Sequence, residues 1–228
     1  MQLLPTFKSG KEAEMAGRYT KQELKAMLHR SAFHLVAESG VESLTVRKVS
    51  AGCGLSDPYI YQCYSDLKEL LTDAFLITDR EVAELMRDTV KTLSFEGEKD
   101  LRQNCWILWS AYWDYLMRDP EKTVFYWRFY QSGYYNREIL EQRRKNFRVF
   151  TSFVGSAGKK LGADDPKSLD AIISCVIDST VSVAVKMHLG YIEPGEMSAQ
   201  TVCCCALSYL FYSLGQNGWD SPENIDIS

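Results

Sequence analysis

The sequence predicts an all-α protein of about nine helices, three at the N-terminal end and a larger helical remainder. Nearly every segment longer than about ten residues repeats its apolar positions with helical periodicity. No alternating run of strand length is present, and the periodic segments are separated by helix caps and stops. Hydrophobic residues make up 46% and charged residues 25%, with 14 Gly and 6 Pro in 228 residues. These proportions exclude collagen-like, low-complexity and wholly disordered chains.

The first helix spans Lys21–Ser39 and gathers Leu24, Met27, Leu28, Ser31, Ala32, Leu35 and Val36 on one face. Gly40 stops it, since glycine takes the left-handed conformation cheaply. Thr45 caps a second helix over 46–53 that ends at Gly54, and Ser56 caps a third that ends near Tyr64. Pro58 fits its first turn, where the missing N–H would be unpaired anyway. A long helix runs from about Asp66 toward Val90, followed by a turn at 95–100. Further helices cover 101–117, a stretch starting at Asp119 and Pro120 and stopping near Gly133, and 137–161 with its basic Arg143, Arg144, Lys145 and Arg148. A loop at 162–166 leads into two apolar helices, 167–189 and 198–214. Residues 1–19 are expected as a flexible extension, and the tail from Gly218 as frayed.

Several function classes drop out on chemistry. The N-terminus lacks the apolar stretch of a secretory signal. No run of about 18 uncharged apolar residues suggests a membrane span. Seven cysteines without a C-x-x-C pair fit free thiols in a reducing cytoplasm. Cys203, Cys204 and Cys205 point in different directions around a helix and cannot share one metal. His29 and His34 share a helical face poorly. The stretch Gly155-Ser156-Ala157-Gly158-Lys159-Lys160 has its first glycine misplaced for a phosphate loop and no Ser or Thr after Lys159. With no nucleophile, metal or dinucleotide motif, neither an enzyme nor a cofactor is expected.

Net charge is −4, distributed unevenly: residues 1–71 carry 9 Lys+Arg against 8 Asp+Glu, and residues 72–228 carry 17 against 22. That asymmetry alone does not imply nucleic-acid binding. Three helices in about fifty residues, with a glycine turn between the second and third, fit either a helix-turn-helix or an ordinary three-helix corner. Periodicity does not separate the two.

The residues themselves do. Ala32-Phe33-His34-Leu35-Val36-Ala37-Glu38-Ser39-Gly40, then Leu44-Thr45-Val46-Arg47-Lys48-Val49-Ser50, then Cys53-Gly54-Leu55-Ser56-Asp57-Pro58-Tyr59-Ile60-Tyr61-Gln62-Cys63-Tyr64 and Lys68-Glu69-Leu70-Leu71 resemble the opening of the TetR family of bacterial transcriptional repressors. The resemblance covers roughly residues 21–75, about a quarter of the chain. It implies a helix-turn-helix DNA-binding domain over 20–66 and a helical ligand-binding and dimerisation domain over 67–228. Carried over by position, Thr45, Arg47 and Lys48 would meet phosphates or a base, Arg47 in bidentate fashion. Ser56, Asp57, Pro58, Tyr59 and Tyr61 fall on the recognition helix, and Lys68 near a phosphate-facing helix start. The chain departs from the pattern at Leu67, where the family usually has lysine, and at Asp57, an anion that repels phosphate. Both departures motivate an alternative: an interaction protein of the same fold with weakened DNA binding.

Residues 106–135 hold 12 of the 28 aromatic residues and four of the five tryptophans. Trp106, Trp109 and Trp113 share a face, with Tyr126, Trp127 and Tyr130 further on. Such a stripe is either core or the wall of a pocket for a flat, apolar or cationic effector. Asp178, inside an apolar helix, pairs with a residue such as Arg128, touches the ligand or lies at a solvated seam; His188 is expected to be structural. The last two helices are apolar around their circumference and carry Ala171, Ser174, Ser182, Ala184, Ala199 and Ala206. They are expected to pair with their two-fold copies in a homodimer, the family's usual interface, that binds a palindromic DNA operator.

Overall fold

The computed structural model describes residues 19–93, 98–160, 166–193 and 195–213. The expected N-terminal extension up to residue 18, the core of the turn near 95, most of the 162–166 loop and the tail from Gly218 lie outside the described residues. Among the described residues there are ten α-helices and no strand: α1 Lys21–Ser39, α2 Val46–Gly52, α3 Pro58–Tyr61, α4 Leu67–Val90, α5 Glu98–Arg118, α6 Pro120–Tyr130, α7 Arg137–Asn146, α8 Arg148–Lys160, α9 Pro166–His188 and α10 Ala199–Ser213.

Local chemistry sets most boundaries. Thr20 and Glu23 form a reciprocal capping box on α1, the Glu23 amide donating to Thr20 Oγ1 at 3.2 Å and the Thr20 amide to Glu23 Oε2 at 2.7 Å. Thr45 and Asp66 cap α2 and α4 by accepting from the amides of Lys48 and Glu69. The turn after α2 depends on Gly54, whose φ of +69° suits glycine, and the Leu55 amide returns to the Ser50 carbonyl at 2.9 Å. Gly52 lets α2 approach α1: a Cβ there would collide with Ser31 Oγ.

Two expectations about elements need correction. The third helix is one turn long and has Asp57, not Ser56, at its N-cap position. The segment 137–161 is two helices that meet at Phe147, because Arg143 and Asn146 at the end of α7 are both anchored to Asp79 of α4. The stretch considered for a phosphate loop is helical, within α8.

Apolar packing divides inside α4 rather than at its start. Leu70, Leu71 and Phe75 join Leu28, Val36, Val49 and Ile60 of the first three helices, together with Phe125 and Phe129 of α6. Val82 and Met86 belong to a second core with Trp109, Trp113, Leu116, Val185, Leu207 and Phe211. Phe75, Phe125, Phe129, Phe211 and Leu28 are fully buried, each worth about 1.5–3 kcal/mol relative to exposure. One helix therefore carries both cores.

α1 lies along α6 and is held there by polar contacts as well. Arg128 Nη1 donates to the Val36 and Ala37 carbonyls at 2.6 and 3.2 Å, occupying the C-terminal carbonyls of α1. At the other end of α6, Arg30 meets Asp119 at 3.0 Å and His34 meets Glu121 at 2.9 Å. Arg128 is thus committed to α1 and does not pair with Asp178.

α9 includes Ala171–His188, an apolar stretch of mean hydropathy 1.4 and long enough by composition to cross a membrane. Only 22% of it is buried within the chain. Its exposed side carries Ala171, Ser174, Cys175 and Ser179, and α10 exposes Thr201, Cys205, Ser208 and Tyr212. Ala184 and Ala206, expected at a helix-pairing face, are instead buried inside the protomer.

Candidate nucleic-acid face and effector cavity

Thr45, Arg47 and Lys48 are exposed at the start of α2. The Thr45 hydroxyl accepts from the Lys48 amide, and Lys48 Nζ donates to the Ser43 carbonyl at 2.8 Å. Arg47 thus projects a guanidinium from the first turn of α2, while Lys48 is tethered nearby. On the next segment Ser56 and Pro58 are exposed and Tyr61 is 59% exposed, with Lys68 exposed in the first turn of α4. These side chains are of the types that can meet phosphate oxygens and base edges.

Two expected members leave this face. Tyr59 is buried in the first core, because the turn of α3 points it and Ile60 inward. Asp57 is half-buried and accepts from Ser50 Oγ at 2.8 Å, so its carboxylate ties α3 to α2. Gln62, not singled out in the sequence, is exposed beside Tyr61. Its amide can pair with adenine N6 and N7, and the available clue was a polar residue closing a short helix. Leu67, the departure from lysine, is half-buried and packs on the first core.

A buried polar chain steadies the end of this segment. Tyr64 donates its hydroxyl to Asp73 Oδ2 at 2.7 Å and lies 2.6 Å from His29 Nε2, with Lys25 Nζ 2.9 Å from the same carboxylate oxygen. Burial pulls the His29 imidazole below its ordinary pKa, with Asp73 working against that shift. Burial and the Asp73 bond push the Tyr64 phenol far up, so it remains a donor. These bonds link α1, the residues after α3, and α4.

The second feature is a partly open cavity of about 140 Å³ between α4, α5, α8, α9 and α10, with residues of α6 and α7 also reaching its wall. Its wall is almost wholly apolar: Val82 and Met86 come from α4, Leu108 and Trp109 from α5, Phe150 and Phe153 from α8, Ile173 and Ile177 from α9, and Leu207 and Phe211 from α10. Polar groups are few. Arg143 is the charged residue of the lining, joined by Asn104, Tyr112, Tyr126 and the thiol of Cys105, which burial pushes up to about 12. Arg143 Nε donates to Asp79 Oδ1 at 2.7 Å and Nη2 to the Tyr126 hydroxyl at 3.0 Å. Tyr126 donates to Asp79 Oδ1 at 2.9 Å, and Asn146 Nδ2 to Asp79 Oδ2 at 3.1 Å. The fully buried Asp79 carboxylate is thereby saturated.

Of the expected ligand residues, Trp109 and Tyr126 line this cavity and the others do not. Trp106 and Trp113 stack on Trp109 at 5.8 and 5.3 Å between ring centroids, extending the stripe along α5. Trp127 and Tyr130 pair with each other on α6, at 5.9 Å. Asp178 is half-buried on α9 and makes no hydrogen bond or ion pair among the described residues. Burial raises its pKa and the Arg143 charge opposes the rise. His188 Nε2 lies 2.9 Å from the Leu116 carbonyl, a structural contact. The cavity wall that sequence reasoning missed comes from segments widely separated along the chain, each an ordinary apolar helix face. No cluster of three or more His, Cys, Asp or Glu that could hold a metal occurs among the described residues.

No family model and no curated protein matches the sequence. Solved structures match the fold. A TetR family transcription regulator from Marinobacter aquaeolei VT8 superposes with a TM-score of 0.66 at 18% identity, over 81% of this chain and 92% of that one. A TetR-family transcriptional regulator from Haemophilus influenzae gives 0.57 at 17% identity, over 80% and 93%. The fatty acid degradation regulator FadR from Bacillus halodurans gives 0.60 at 13% identity, over 84% and 95%. Nearly the whole length of each is matched, and this chain therefore has the all-helical fold of the TetR-family transcription regulators.

Proposed function

We propose that the chain is a ligand-responsive DNA-binding transcription regulator: a cytoplasmic homodimeric repressor that leaves a palindromic operator when a small apolar effector enters the cavity. In this scheme residues 20–66 read DNA, and residues 67–228 bind the effector and dimerise. The observation that carries it is the single helix α4, which starts a few residues after the exposed Tyr61, carries the exposed Lys68 in its first turn and reaches the cavity wall at Val82 and Met86. A ligand that favours a different tilt of α4 would change the spacing of two recognition segments, which must match a helical turn of DNA, about 34–36 Å, or a multiple. Coupling of about 1–3 kcal/mol would loosen DNA roughly 5- to 150-fold.

The dimer draws support from α9 and α10, whose exposed small and polar side chains cover helices otherwise apolar enough to need burial. The inward turn of Asp57 removes one reason to favour an interaction protein without specific DNA binding. Polarisation with DNA flanking the chain's own gene tests the proposal. Arg47→Ala is expected to lose about 1–3 kcal/mol of specific affinity with helicity intact, and Tyr61→Phe to weaken it as well. Unchanged affinity in both variants rejects this reading face.

A further inference from the structure

We infer that the cavity selects an uncharged, largely hydrocarbon ligand carrying one oxygen that meets the Tyr112 hydroxyl, and discriminates against both carboxylates and ammonium ions. Resting on the effector reading above, this assigns the ligand a chemical class from the electrostatics of the wall.

Anions are disfavoured although the charged lining residue is an arginine. The Arg143 guanidinium is already neutralised by Asp79, whose side chain has no solvent exposure. A carboxylate could reach Arg143 through guanidinium N–H groups that Asp79 and Tyr126 leave, but Asp79 already balances the charge, so the site would bury a net negative charge. Burying an uncompensated charge is strongly unfavourable. Tyr126, Tyr130 and Phe147 also close around the guanidinium, with ring centroids 5.8, 5.4 and 5.7 Å away.

Cations are disfavoured on two counts. No carboxylate belongs to the cavity lining, and Asp178, the neighbour of Ile177, lies outside it. Three of the aromatic faces that would attract a cation are already engaged. Trp109 is stacked by Trp106 and Trp113, while Phe147 and Phe211 carry the guanidiniums of Arg143 and Arg102 at 5.7 and 4.9 Å.

What remains is apolar burial and one hydrogen bond. Tyr112 lines the cavity, and its hydroxyl has no hydrogen-bond partner among the described residues. Burial pushes its phenol well up, so the proton stays available for a ligand oxygen. The volume, about 140 Å³, suits a ligand of one ring's size, since an apolar cavity of about 150 Å³ stays dry and takes benzene.

The test is a charge series on one skeleton: benzyl alcohol, benzoate and benzylammonium at neutral pH, followed by tryptophan quenching. The alcohol is expected to bind at least about tenfold tighter than either ion, the scale of an uncompensated buried charge. Tyr112→Phe, which breaks no hydrogen bond within the described protein, should weaken the alcohol several-fold and leave the melting curve in place. Asp79→Asn, which frees Arg143, should raise benzoate affinity relative to the alcohol. Equal or tighter binding of an ion to the unaltered protein, no binding of any member, or an alcohol affinity indifferent to Tyr112→Phe would each overturn the inference, whether or not Asp79→Asn folds. DNA polarisation in parallel separates the two claims. The expected order without DNA release supports the ligand class and rejects the effector role. Release driven by an ion more effectively than by the alcohol rejects the class and keeps the role.

Discussion

Gly52 and His34 show how single positions set the strength of the N-terminal helices. Ser31 donates its hydroxyl to the Val49 carbonyl at 2.9 Å in the space that a Cβ at residue 52 would enter. Gly52→Ala is therefore expected to expel the Ser31 hydroxyl and destabilise the chain by about 1 kcal/mol or more, measured by denaturant unfolding. His34 is half-exposed, and its bond to Glu121 holds its pKa above 6.5, with Glu38 adding to the rise. A raised folded-state pKa means the contribution is complete below the unfolded value near 6.5 and disappears as pH rises through the folded value. His34→Gln should thus cost stability in mildly acidic buffer and little in alkaline buffer; equal losses at both would reject the contact. Burial gives His29 the opposite sign: its folded pKa is depressed, so stability falls as pH drops below the unfolded value toward the folded one.

Among the elements, α6 does more than the sequence suggests. Its apolar side enters the first core through Phe125 and Phe129, and Arg128 grips the C-terminal carbonyls of α1. Arg128→Met keeps the stem and removes the donors. It should increase hydrogen exchange at the end of α1 and lower the melting temperature, while unchanged exchange there would show that apolar packing alone holds α1. Helices whose limits are set by neighbouring residues were legible: the Gly40 stop, the Thr45 cap and the Gly54 turn all act within a few positions of themselves. The break at Phe147 was not, since periodicity runs through it and the cause is Asp79, 64 positions before Arg143. The same limit hid Tyr59, whose burial depends on the angle between α2 and α3, and misassigned Asp57, which bonds across that angle to Ser50.

At the scale of the whole molecule, the resemblance over 21–75 led to the fold, although the first core that this stretch builds is completed from outside it by Phe125 and Phe129 of α6. The cavity was illegible because Phe150, Ile173 and Leu207 look like ordinary core residues until five helices bring them around one space. The assembly is expected to follow from the exposed side of α9. Ser179→Arg, at an exposed position where the hydroxyl donates to the Val176 carbonyl of its own helix, should turn a dimer into a monomer in sedimentation and abolish tight binding to a two-half-site DNA. A variant that stays dimeric moves the interface elsewhere.

Asp79 stands halfway along α4 and receives hydrogen bonds from α6 and α7, which makes it a fulcrum. At 1.5 Å per residue, the arm from Asp79 to Leu67 is about 18 Å long. A swing of about 10° around that point carries the far end about 3 Å, close to the rise of one base pair, about 3.4 Å. In the proposed function, a rearrangement at the cavity smaller than one carbon–carbon contact would be geared into nearly a base-pair step at the other end of the same helix.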